Sequence, residues 1–158
     1  MPRRSIAIAV PVLLALCWMP TGAVLGEEAA TSAPKALATD EYNPGGLEVH
    51  LIELRRTSGD TVTAKWLYRN TTESEVTVQN LISPSTYLVD PAAKKKYFCV
   101  KDSEGDWVAG KFHDNRGEVK AGQTFKMWAK FPAPPAATEK LTVYINGVAP
   151  LEDVPLAK

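Results

Sequence analysis

The chain has 158 residues, with 18 Lys and Arg against 18 Asp and Glu, and only two histidines and two cysteines. That length makes one domain, large enough to bury a core without disulfides. Balanced charge leaves no global field to draw in phosphate backbones, which argues against nucleic acid as a partner, and so few His and Cys argue against a metal or other cofactor site.

Residues 1–26 read as an export signal: a basic start at Arg3-Arg4, an apolar run over 6–19, and small residues at Thr21-Gly22-Ala23 and Gly26. Crossing a membrane takes about 20 apolar residues, and this run is shorter and interrupted by Pro11, so no membrane span is expected in the mature chain. Cys17 lies between Leu16 and Trp18, bulky where a lipidation site carries small residues, and a lipid anchor is not expected there. Removing 1–26 takes Arg3 and Arg4 and no acid, which leaves 16 bases against 18 acids and a net charge near −2. Cys99 is then the lone thiol, set in the apolar run Tyr97-Phe98-Cys99-Val100 and read as a buried small hydrophobe. The expected location is the periplasm or the extracellular space.

Residues 27–46 are rich in Ala, Thr, Ser, Pro and acids without sustained apolar periodicity, the composition of a flexible linker. Asn43-Pro44-Gly45-Gly46 closes it with turn residues. The folded domain is expected over 47–158.

From Leu47 the apolar period becomes two. Val62, Ala64, Trp66 and Tyr68 alternate with Thr61, Thr63, Lys65 and Arg69; Val76 and Val78 with Thr77 and Gln79; Phe125, Met127, Ala129 and Phe131 with Thr124, Lys126, Trp128 and Lys130; and Leu141, Val143 and Ile145 with Thr142, Tyr144 and Asn146. Side chains on a strand point alternately to opposite faces, so these are half-buried antiparallel strands. Turn clusters such as Ser58-Gly59-Asp60, Asn70-Thr71-Thr72, Ser83-Pro84-Ser85 and Asn146-Gly147 separate them, and no stretch has a sustained helical period. The fold class is all-β, an immunoglobulin-like antiparallel β-sandwich of about seven strands. In the first strand the apolar phase shifts between Leu51 and Ile52, as a bulge or a change of sheet would require.

Residues able to carry chemistry are sparse. His50 falls on the polar phase of the first strand and His113 in a loop, and neither has the ligand spacing of a metal centre or a visible nucleophile beside it. Asp102-Ser103-Glu104-Gly105-Asp106 puts its glycine fourth, where a calcium-binding EF-hand loop puts it sixth, and reads as a tight acidic turn. No catalytic residue set is identified, and the chain is not expected to be an enzyme. The candidate interaction surface is Lys94, Lys95 and Lys96, the one basic run, together with Trp107 and Trp128. The lysines suit a strand edge that discourages unwanted pairing or a patch for anionic envelope material. Trp107 is expected to brace the acidic turn. Trp128 points outward between Lys126 and Lys130, and Pro132, Pro134 and Pro135 are expected to fold over it.

Val62 to Asn70, Tyr87-Leu88-Val89-Asp90-Pro91 running into Lys94-Lys95-Lys96-Tyr97, Asp102-Ser103-Glu104-Gly105, and Trp128-Ala129-Lys130-Phe131-Pro132-Ala133-Pro134-Pro135 together resemble the exported bacterial immunoglobulin-like domains of the DUF4352-like group. That group includes domains that precede OmpA-like peptidoglycan-binding modules in some envelope proteins. The resemblance implies an extracytoplasmic interaction or spacer module with an envelope or secreted protein as partner and without a shared catalytic set. The sequence departs from that arrangement in showing no peptidoglycan-binding module after the domain, so the resemblance does not by itself imply wall anchoring. The alternative is a small-ligand or carbohydrate binder that uses exposed aromatics.

Overall fold

The computed structural model describes residues 35–43, 45–110 and 114–158; the export signal, Cys17, the first part of the linker and His113 lie outside them. The described residues form ten strands: β1 (Ala38–Tyr42), β2 (Leu47–Thr57), β3 (Thr61–Asn70), β4 (Val76–Gln79), β5 (Tyr87–Asp90), β6 (Lys95–Phe98), β7 (Arg116–Val119), β8 (Thr124–Pro132), β9 (Lys140–Tyr144) and β10 (Leu151–Pro155). All strand pairs are antiparallel, and the expected all-β sandwich is what the chain adopts. The strand count exceeds the expected seven because short strands with weak alternation also pair.

One sheet runs β1-β2-β3-β8, the second β10-β9-β5-β6, and β4 pairs with β7 in a separate ribbon. Register explains why the first sheet has one greasy face. Val62, Ala64, Trp66 and Tyr68 lie opposite Phe131, Ala129, Met127 and Phe125, so both sets project to the same side. There they meet Leu88 of β5, Leu141 and Val143 of β9 and Tyr97 of β6, all buried in one core. Burying a side chain of this size stabilises by about 1.5–3 kcal/mol. That term, repeated across two inner faces, holds the sheets together without a disulfide.

The phase shift in β2 is a bulge. Leu51 pairs with Trp66 and Glu53 with Lys65, which leaves Ile52 as the extra residue, and β2 stays beside β3 along its whole length. Leu54 thereby returns to the core opposite Ala64 while Glu53 and Arg55 face out.

The expected linker over 27–46 requires correction at its end. Ala38–Tyr42 is a strand paired residue by residue with Leu47–Leu51 of β2. Tyr42 is buried and meets Tyr68 edge to face, with ring centroids 5.9 Å apart. The Asn146-Gly147 turn is fitted around that ring. Gly147 has φ of 76°, and a Cβ there would stand 2.5 Å from Tyr42 Cε2, so both backbone conformation and space call for glycine.

Asn70 closes the end of β3. Its side-chain amide donates to the carbonyls of Ser74 and Val119 at 2.7 Å each, and its Oδ1 accepts from Thr72 N and Oγ1 at 2.8 Å. The Asn-Thr-Thr sequence has the form of a glycosylation acceptor, but this amide is buried and its donors are already engaged.

Candidate functional site

Trp107 and Trp128, twenty-one residues apart, line one groove. Trp128 lies in β8 opposite Lys65 and is 37% exposed. Beside it the chain from Val100 to Gly110 covers the edge of β8. Val100 N donates to Lys130 O, Lys130 N to Val108 O and Gly110 N to Trp128 O, at 2.8–2.9 Å. Val108 N donates to Val100 O, and Lys101 bridges to Trp107, so this covering segment is itself a hairpin.

Its tip is the acidic turn. Asp102 Oδ1 accepts from Glu104 N at 3.0 Å and Asp106 N at 2.9 Å, while Asp102 N donates to Asp106 O. A short acidic side chain folded back on its own backbone is a common way to fix a tight turn. The groove of about 750 Å³ is lined by Asp102, Asp106, Trp107, Gly110 and Trp128, with Val108 and Ala109 between them. Gly110 lies close to the indole edge, where a Cβ would be 3.5 Å from Trp128 Cδ1 and Nε1. Trp107 is half-buried against the core, and the Lys101 ammonium stands 4.3 Å from its ring centroid. The arrangement offers indole surface beside carboxylate acceptors.

The prolines do not cover Trp128. Arg56 shares the inner phase of the sheet with Val62 and Phe131 and donates to Pro134 O at 2.8 Å, Pro135 O at 2.6 Å and Thr138 O at 3.3 Å. This guanidinium holds the proline loop at the far end of β8, away from the outward-facing indole.

Lys94, Lys95 and Lys96 lie on the β5–β6 hairpin, Lys94 in its turn, Lys95 on the inner phase with Tyr97 and Lys96 on the outer phase with Phe98. Lys95 Nζ is 5.2 Å from the Tyr97 ring centroid and Lys96 Nζ 4.4 Å from that of Tyr87. The hairpin is pinned by Asp90, 2% exposed, whose Oδ1 accepts from Ala93 N and whose Oδ2 accepts from Thr138 Oγ1 at 2.7 Å. The Ala93 N–H, followed by the Thr138 hydroxyl, holds the Asp90 carboxyl below its usual range.

Sequence reasoning missed Tyr87, Phe98 and Tyr144. Strand register sets Tyr87 opposite both Phe98 and Tyr144, and the three rings form a row across the outer face of the second sheet. Tyr87 and Tyr144 stack at 4.4 Å with an interplanar angle of 16°; Tyr87 and Phe98 meet at 5.7 Å and 54°. The clue in the sequence was that each ring lies on the outward phase of its strand.

Another grouping emerges on the outer face of the first sheet. His50 Nε2 is 3.0 Å from Glu48 Oε2, and its Nδ1 is 3.4 Å from Thr39 Oγ1. The order hydroxyl, imidazole, carboxylate mimics a hydrolytic triad, but Arg69 also reaches Glu48 at 3.8 Å and the three residues stand on a sheet face rather than among groups aimed at a reacting carbonyl. Among the described residues no three His, Cys, Asp or Glu side chains converge to hold a metal ion. Cys99 is buried, and burial pushes its thiol up to about 11, a poor nucleophile at neutral pH. Among the described residues no helix is long and apolar enough to cross a membrane.

No protein-family model and no curated protein matches this sequence. Among solved structures, the crystal structure of the yjhA protein from Bacillus subtilis is similar at 14% identity, covering 70% of this chain and 78% of that one, with a TM-score of 0.46.

Proposed function

We propose that the chain is a non-enzymatic, exported interaction module of the bacterial envelope or secretome, and that it recognises its partner in the groove between Trp107 and Trp128. The observation that carries this reading is that Trp107 and Trp128 line one groove together with Asp102 and Asp106. Tryptophan is enriched among residues that dominate binding energy, because a rigid ring buries a large area at low entropic cost. The β8 edge that could otherwise pair with another strand is covered by the 100–110 segment, so side chains rather than backbone would make the contact. Signal-like residues 1–26 support export.

A second reading, a carbohydrate ligand, is favoured by indole surface lying next to carboxylates that can accept sugar hydroxyls. One experiment separates the two. Wild type and Trp128→Ala are used to capture proteins from envelope extract, and the tryptophan fluorescence of both is followed across a panel of neutral glycans. A captured protein that the variant loses supports the interaction module, whereas a saturable fluorescence change with a glycan that the variant loses selects the second reading. Equal behaviour of wild type and variant in both assays removes the groove as the site.

A further inference from the structure

Three segments meet on the Tyr42 ring. Gln79 N donates to Tyr42 Oη at 3.4 Å, Gly147 lies so close that an added Cβ would stand 2.5 Å from Cε2, and Asn43 N donates to Gly147 O at 2.7 Å. Asn146 ties two of these segments together, because its Nδ2 donates to Gln79 O at 3.4 Å and Asn80 O at 3.3 Å. Both bonds are long, and Asn146 is half-exposed. The turn around it holds the groups that asparagine deamidation needs. Val148 N donates to Ile145 O at 3.0 Å, which closes a turn with Asn146 and Gly147 at its centre and leaves the Gly147 N–H without an acceptor among the described residues. Glycine carries no Cβ to hinder that nitrogen. The other asparagines lack the combination. Asn43 precedes Pro44, which has no N–H. Thr71 N, after Asn70, donates to Gly46 O at 3.3 Å, and Leu81 N, after Asn80, donates to Asn115 O at 3.2 Å. The Asn115 amide is held at both ends, accepting from Ile82 N at 3.0 Å and donating to Ile82 O at 2.8 Å.

We propose that Asn146 is a site of spontaneous deamidation, and that its conversion loosens β1 from the sandwich. The Gly147 nitrogen gives its proton to solvent base and attacks Asn146 Cγ. A bond forms between Gly147 N and Cγ as the Cγ–Nδ2 bond breaks, and Nδ2 takes a proton from solvent and leaves as ammonia. Water then opens the cyclic imide. Opening at the side-chain carbonyl gives an aspartate, and opening at the backbone carbonyl gives an isoaspartate, whose chain runs through Cβ and Cγ. In sum, the asparagine and one water become a carboxylate and ammonium. Either product weakens the contacts on Tyr42. A carboxylate cannot donate to Gln79 O and Asn80 O, and it would face two carbonyl oxygens there. Isoaspartate also adds a backbone atom before Gly147, where the fit around the ring has no room for a methyl group. Tyr42 is the only buried residue of Ala38–Tyr42, so β1 depends on that fit for its hold on the core.

The test is ageing of the intact, folded protein in neutral and mildly alkaline buffer, followed by peptide mapping with mass spectrometry and isoaspartate detection. The peptide carrying Asn146 should gain about one mass unit at least about tenfold faster than those carrying Asn70, Asn80 or Asn115. It should contain both aspartate and isoaspartate, and it should form faster in the alkaline buffer, because the attacking nitrogen must lose its proton. Hydrogen exchange of the modified fraction should show the β1 amides exchanging at least about tenfold faster than in fresh protein, with those of β3 and β8 unchanged. Asn146→Gln, whose longer side chain would have to close a larger ring, should gain no mass at this position over the same interval. Asn146→Asp should reproduce the faster β1 exchange without ageing. The proposal is overturned if Asn146 in the folded protein is modified no faster than the other asparagines, or if the modified fraction and Asn146→Asp both keep the β1 exchange of fresh wild type.

Discussion

The outer faces of the two sheets solve solvent exposure in opposite ways. On β2 and β3 of the β1-β2-β3-β8 sheet, charged side chains pair with one another: Lys65 Nζ donates to Glu53 Oε2 at 2.9 Å, Arg55 Nε donates to Glu53 Oε1 at 2.7 Å, and Glu48 serves both His50 and Arg69. On the β10-β9-β5-β6 sheet, Tyr87 stacks on Tyr144 and the Lys96 ammonium lies over the Tyr87 ring, with the Lys140–Asp153 ion pair at the other side. Exposed ion pairs contribute little to stability, but they cancel the charge that a partner could use. An aromatic row beside Lys96 keeps apolar area exposed, Phe98 most of all. The difference teaches that one core can back an outer face held largely by ion pairs and another held largely by stacked rings.

The sharpest way to break the comparison is to release the hairpin that carries the lysines. Asp90→Ala deletes a buried carboxylate together with its bonds from Ala93 N and Thr138 Oγ1, and leaves those donors unsatisfied. The expected loss is about 2–3 kcal/mol, read as a shift in the urea midpoint. A loss near zero would mean that the hairpin is held by the lysine–ring contacts instead.

Next in size is the stack itself. Tyr87→Ala removes the ring that contacts Tyr144, Phe98 and Lys96, and should cost about 1–2 kcal/mol. Phe98→Ala removes a ring at the edge of the row and should cost under about 0.5 kcal/mol. Equilibrium denaturation of the pair separates a ring that stabilises the sheet from one that is presented to solvent. Equal costs would mean that the row is a packing unit throughout.

The legibility of the two faces in sequence was equally unequal. Alternation in β3, β8 and β9 was readable because apolar and polar residues alternate along each, and Trp66, Met127 and Val143 fall on the buried phase. β1 was not readable: Ala-Thr-Asp-Glu-Tyr has little apolar content, and its strand form depends on backbone pairing with β2. β10 was hidden because Asp153, at φ of 53°, sits where the register shifts between Leu151 and Val154 and spoils the alternation. The outward phase of Trp128 was legible, but its surroundings were not, because Arg56 determines where the proline loop goes from far away in sequence. The Tyr87-Phe98-Tyr144 row depends on the pairing of three strands, information that no local pattern contains.

The smallest effects discriminate between the faces by pH. The hydrogen bond from Lys65 holds the Glu53 carboxyl below its ordinary value of 4.5, with Arg55 adding to the effect and burial opposing it. A carboxyl whose folded pKa is depressed stabilises the fold above its unfolded pKa and loses that contribution as pH falls through the folded value. Glu53→Gln should therefore cost about 0.5–1 kcal/mol at pH 7, and the gap from wild type should close on acidification from about pH 5 towards pH 3. The variant with Lys94, Lys95 and Lys96 all replaced by Gln should stay within about 0.5 kcal/mol of wild type, with a difference that is flat across the same range. Parallel urea titrations of the three proteins at pH 7, 5 and 3 measure both trends. A lysine variant whose stability difference closes with acid in the manner of Glu53→Gln would reveal a carboxylate partner for these lysines, and the contrast between ion-paired and ring-backed cations would be lost.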